Sequence, residues 1–151
     1  GRRIHGVVRT LRDAGVDVDS TAIRLGARGA EDIRRHVRDL VSGDARVTAL
    51  LASDALIAIA ALEELRSLGL SVPEDVSVAM FDDPPWAGLV SPPLTVVSQP
   101  VLEAGVAAAR LLLEAMGSAV ADPEPASGRM LTPLSAHLIT RGSIGPARVS
   151  D

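Results

Sequence analysis

Hydrophobic period changes repeatedly along this chain, and that alternation limits the folds open to it most. Stretches with helical spacing alternate with short apolar runs. Residues 2–14 place Ile4, Val7, Val8 and Leu11 at helical steps, with Arg2, Arg9, Arg12 and Asp13 between them. Gly15 follows where a left-handed cap belongs. Residues 22–25 are expected to form a short strand after a polar stretch. Residues 30–41 carry a second stripe of Ile33, Val37, Leu40 and Val41, with Glu31 and Asp32 at the end favoured by the helix dipole. The run VTALLA, 47–52, reads as a buried parallel strand. Residues 53–69 predict the clearest helix, capped by Ser53 or Asp54. Its inward stripe is Leu56, Ile59, Ala60 and Leu62 or Glu63, and Gly69 and Leu70 form its stop. DVSVAMF, 75–81, is the next strand, halted by Asp82, Asp83, Pro84 and Pro85. Such alternation implies an α/β fold: an open parallel sheet with helices on both faces.

The pattern changes after residue 84. Four prolines, Pro84, Pro85, Pro92 and Pro93, enclose a loop. TVVSQ, 95–99, is either a strand or a crossing segment. Residues 101–117 predict a last helix with Val101, Leu102, Gly105, Ala108, Leu112 and Met116 inward. A polar turn at 122–128 precedes two short edge strands within 130–143, broken at Pro133. The remainder reads as a tail.

Composition removes several classes of function. Cysteine is absent, which excludes disulfides, thiolate metal sites and cysteine nucleophiles. All 15 basic residues are arginine, so there is no phosphate-loop lysine and no Schiff-base lysine. Residues 1–50 hold ten arginines against seven acids, and the rest of the chain is acidic. Neither half is basic enough to bind nucleic acid by charge alone. One Trp, one Phe and no Tyr leave almost no stacking platform. No apolar run is long enough for a membrane helix, and the charged opening does not read as a signal peptide. The three histidines lack metal-ligand spacing, and no hydrolase, metalloprotease or dinucleotide motif is present. No cofactor or metal is expected, and an enzyme on a doubly wound fold is only a minor functional reading.

Open parallel sheets bind ligands where their strands end. Two loops qualify: Ser53-Asp54 after the 47–52 run, and Asp82-Asp83 after 75–81. If the strands are adjacent, the loops bracket one small molecule, since neighbouring strands lie about 4.8 Å apart. The plainer readings are a helix cap for Asp54 and a turn residue for Asp82. Arg3 offers a five-donor guanidinium to paired hydroxyls or a carboxylate, against the plain reading of a solvated helix charge. Arg28, in the turn GARG, reads most simply as a loop charge.

ALLASDALIAIAALEELRSLGLSVPEDVSVAMFDDP, followed by PPLTVVSQP and later LITRGS, resembles the lactose/galactose-repressor family of bacterial transcription regulators. Weaker likeness reaches upstream through Arg3 and Gly6 in an R-x-x-G pattern and through TLRDAGV. The resemblance covers residues 2 to about 145. It implies a periplasmic-binding-protein-like lobe with an incomplete second lobe: 1–94 as the carboxyl-side lobe, 95–145 as the crossover and terminal elements completing the amino-side lobe, and 146–151 as tail.

The resemblance also implies a cytoplasmic, homodimeric repressor that senses a small effector, a sugar by preference. Operator DNA would be bound through a headpiece not in this chain. By the same resemblance Arg3, Ser53, Asp82 and Gln99 bind effector, with Ser53 standing where the family usually has Asn. Arg28 falls where an aromatic often packs on the ligand, a departure that suits a charged or more polar effector. Ala58 and Val90 fall at the dimer axis. The alternative is a freestanding solute-binding protein of the same architecture.

Overall fold

A computed structural model describes residues 2–42, 47–118 and 133–146. The helices are α1 (Arg2–Asp13), α2 (Ala30–Ser42), α3 (Ala55–Ser67) and α4 (Val101–Ser118). The strands are β1 (Ala49–Ala52), β2 (Ser77–Phe81), β3 (Thr95–Ser98) and β4 (His137–Ile139). Single 3-10 turns lie at Ser20–Ala22 and Pro85–Gly88. The sheet order is β1-β2-β3-β4. β1, β2 and β3 are parallel, and β4 runs antiparallel to β3 along the edge.

Register shows how the core forms. Leu50 pairs with Val78, Ala52 with Met80, and Met80 with Val96, so these side chains share one face. α3 packs on β1 and β2, and α2 packs on α3. Val37 and Val41 of α2 join Ala58, Ala61 and Leu65 of α3 in that core. The other face is thinner, and Leu51 remains exposed there.

α3 begins and ends as its sequence dictates. Asp54 is the N-cap and accepts from the Ile57 N–H at 3.0 Å. Gly69 takes φ 71°. Its N–H donates to the Arg66 carbonyl, and the Leu70 N–H donates to that of Leu65. Those two bonds are a Schellman stop, which glycine adopts without the steric cost of a Cβ. The phase of its stripe differs from expectation. Ala58, Ala60, Ala61, Glu64 and Leu65 are buried and Leu62 packs on the core, so Ala60 and Leu62 lie inward as expected, while Leu56 and Ile59 are exposed. Alanines and Leu65 fill the inner face of α3, and Ile57 and Leu62 pack at its margins.

Glu64, 2 % exposed, accepts from Arg38 Nε at 2.8 Å, and that bond ties α2 to α3. A buried carboxylate needs such a partner. Arg34 and Glu63 form a second, more exposed link.

Three other expectations change. Residues 22–25 form no strand: Asp19 caps the turn Ser20–Ala22 by accepting from Thr21 N–H, and Leu25 is exposed. A local aspartate cap captures this backbone before any sheet partner does. The boundary at 94/95 also moves. β3 is the third strand of this lobe's own sheet, and residues 137–145 bond to it and to β2, so they do not form part of a second lobe. Only the later of the two expected edge strands, β4, lies among the described residues; the polar turn 122–128 and residues 130–132 lie outside them. The expected inward face of α4 is exposed throughout, with Leu112 at 62 %.

Candidate functional site

Because β1, β2 and β3 are parallel neighbours, the residues that follow them emerge in a row from one edge. Ser53 follows β1, Asp82 follows β2 and Gln99 follows β3. This is the arrangement on which the sequence argument for a shared site depends.

Asp82 still belongs to the ladder, its N–H donating to the Val97 carbonyl at 3.0 Å. Its φ is 73°, the left-handed region. That conformation costs an L-residue about 1–2 kcal/mol, and aspartate is among those that tolerate it. It lets the chain turn back towards β3 immediately after the strand. The Asp82 carboxylate accepts a hydrogen bond from Gln99 Nε2. Two expected site residues thus meet directly.

Arg3 comes from α1, far away in sequence. Its Nη1 donates to the Ser53 carbonyl at 2.6 Å, and its guanidinium carbon lies 4.6 Å from the centre of the Phe81 ring. A cation over an aromatic face at this range contributes about 0.5–1 kcal/mol where water has access. One donor and the face of the guanidinium are thereby held at the ends of β1 and β2. The Ser53 hydroxyl donates to Asp54 Oδ2 at 3.3 Å, so it leans on the helix cap. Beside Arg3 an open groove of about 400 Å³ is lined by Gly6, Val7, Thr10, Leu11 and Phe81.

Arg28 does not join this group. Its backbone N–H donates to Asp32 Oδ2 at 3.0 Å, fixing the approach to α2, and its side chain is exposed. That bond is the main reason Asp32 is held more acidic than an ordinary aspartate. Ala58, expected at a dimer axis, is 0 % exposed and packs within its own lobe. A second copy cannot touch it there. Val90 is half-buried against the core.

Sequence reasoning missed two partners of the site. Phe81 was read only as the end of a strand, yet it carries Arg3. Asp83 was read with Asp82 as a strand stop, yet it forms a two-pronged pair with Arg141, with both N–O distances at 2.9 Å. Asp83 is the leading cause that holds Arg141 more firmly protonated than an ordinary arginine. The signal available was the string LITRGS, but nothing local in it names a partner 58 residues away.

Chemically, the edge offers carboxylate and amide acceptors, amide donors and a guanidinium. Such a set recognises hydroxyls, amines or carboxylates by hydrogen bonding. Among the described residues no group of three or more His, Asp or Glu could share a metal ion. No described helix is long and apolar enough to cross a membrane.

A parallel sheet with strand-end polar groups and flanking helices defines a lobe of periplasmic-binding-protein type. The sequence matches the periplasmic binding protein-like domain family over residues 1–144. It is 38% identical over 143 residues to a probable opine utilization operon repressor of Rhizobium rhizogenes, covering 94% of this chain and 69% of that one. It is 36% identical to the HTH-type transcriptional regulator MalR of Streptomyces coelicolor, covering 97% of this chain but 41% of that one. A solved complex of the transcriptional regulator CelR with cellobiose superposes with a TM-score of 0.75 at 32% identity, covering 93% of this chain and 41% of that chain. The chain belongs to the LacI/GalR family of transcriptional regulators, and it corresponds to their effector-binding core. It spans well under half the length of MalR and of CelR as solved. The family is one of transcriptional regulators and not an enzyme family.

Proposed function

We propose that this chain senses a small hydroxyl- or amine-bearing effector, a sugar or related metabolite, for a cytoplasmic transcription repressor that acts as a homodimer. Effector lies against the β1–β3 edge, held by Arg3, Ser53, Asp82 and Gln99. A second lobe closes over the other side. Binding favours one lobe arrangement over another, which changes the spacing of paired headpieces and so their affinity for operator DNA. No covalent step is needed.

The observation that carries the reading is the convergence of Ser53, Asp82 and Gln99 at one edge, with Arg3 brought onto it from α1. The cellobiose complex of CelR supports a sugar, and the opine repressor supports a charged alternative. Pairing of copies uses surface near the expected positions, where Leu56 and Leu89 are exposed.

Calorimetric titration of the intact regulator with a panel of mono- and disaccharides and opines tests the reading. A binder from that panel is expected to lose about tenfold or more in affinity on Arg3→Ala or Asp82→Asn, as charged hydrogen bonds of about 1.5–3 kcal/mol imply. Undiminished binding in both variants contradicts the site.

A further inference from the structure

The strap formed by residues 139–145 has more contacts than an edge strand requires. The Arg141 N–H donates to Thr95 Oγ1 at 2.9 Å, and Thr95 Oγ1 donates to the Arg141 carbonyl at 3.2 Å. Ser143, fully buried, accepts from the Thr95 N–H at 2.8 Å and donates to the Val78 carbonyl at 2.6 Å. The Val78 N–H in turn donates to the Ser143 carbonyl at 2.8 Å. The strap thus fixes the Arg141 backbone against β2 and β3.

From that anchor the Arg141 guanidinium reaches both ends of the loop that joins those strands. It grips Asp83 with two parallel bonds and donates to the Leu94 carbonyl at 2.9 Å. Both side chains of the pair are 22 % exposed, so water competes little for them. Paired, planar geometry of this kind fixes direction as well as distance. Asp82 lies one residue outside the clasp, in a left-handed conformation that carries a cost even for aspartate. What stands on its far side is the Gln99 contact.

We infer that Arg141 is a positioning residue for the effector site: by clasping Asp83 and Leu94 it holds the turn that aims the Asp82 carboxylate at Gln99 and the cleft. The inference rests on the proposed effector site for its purpose, but the clasp itself is tested without any effector. Arg141 touches no effector in this scheme; it acts through Asp83 and Asp82.

The test is side-chain amide NMR of Gln99 in the 151-residue chain, comparing wild type with Arg141→Ala, Arg141→Lys and Asp83→Asn. Arg34→Ala, which breaks an ion pair elsewhere, is the control. The expected result is loss of the bonded Gln99 amide signals in Arg141→Ala and Asp83→Asn, with α3 and β1 signals in place. Lysine, which cannot form the two-pronged pair, should restore the signals only in part. The control should leave them untouched. Should Arg141→Ala fail to fold, Asp83→Asn carries the same reading, because it keeps the shape and removes the charge. Gln99 signals unchanged in Asp83→Asn and in any folded Arg141 variant overturn the inference. Equal displacement of signals throughout the lobe also overturns it, since the pair would then be merely structural. Neither outcome depends on whether a sugar binds.

Discussion

α3 and α4 are both rich in leucine and alanine, yet they end in opposite surroundings. Leu65 of α3 is fully buried against β1 and β2, whereas Leu112 and Met116 of α4 are mostly exposed. An apolar stripe specifies that a helix needs a partner; it does not supply one. α3 has its partner within a few residues on either side, in β1 and β2. Among the described residues only Ala107 and Leu111 of α4 are even half-buried. The effector-site edge stands on the first kind of helix: Ser53 and Asp54 enter α3, while Gln99 is the last polar residue before α4.

The contrast can be broken by truncation. Leu65→Ala is expected to cost about 2–5 kcal/mol of unfolding free energy, because a buried leucine leaves a cavity. Leu112→Ala is expected to change it by no more than about 0.5 kcal/mol. Urea unfolding of both variants checks this, and equal losses would mean that α4 is packed after all. Next in size is Arg38→Ala. It strands the Glu64 carboxylate, and removing one partner of a buried pair costs about 3–5 kcal/mol. Arg38 is half exposed, so water reaches the pair and about 1–3 kcal/mol is expected. Glu64→Gln in the same background should recover part of the loss. Asp54→Ala removes the cap on α3 and should cost about 1 kcal/mol.

The smallest effect is that of acid. Asp19 and Asp32 are both held below the ordinary 3.8, chiefly by backbone N–H bonds from Thr21 and Arg28. Their folded values are depressed, so their stabilisation is complete above 3.8 and is lost as pH falls through the lower folded values. Stability should therefore be flat on their account from pH 7 to about 4 and fall only below that. A pH series of unfolding midpoints with Asp19→Asn and Asp32→Asn reads it: the variants should lose the acid-side slope, and with it the small stabilisation that the carboxylates supply at neutral pH.

What could be read from sequence was what is local. The Asp54 cap, the Gly69 stop, the strand runs and the position of Asp82 at a strand end each follow from a few adjacent residues. So did the expectation that Ser53 and Asp82 leave one edge, since it needed only parallel neighbours. What could not be read depends on distant partners. The phase of α3 was set by its packing on β1, β2 and α2, which placed Ala58 inside the lobe. The 22–25 strand lost to the Asp19 cap. Arg3 on Phe81 and Arg141 on Asp83 join segments 78 and 58 residues apart in sequence, and no periodicity predicts such pairs.

The central claim is that the edge bearing Ser53, Asp82 and Gln99 is assembled by this lobe alone, independently of α4. Amide hydrogen exchange on the chain tests it most directly. Amides of α3, β2 and β3 should exchange only at the rate of global unfolding, while those of α4 exchange orders of magnitude faster. Protection of α4 equal to that of α3, or β2 exchanging as freely as α4, would contradict it.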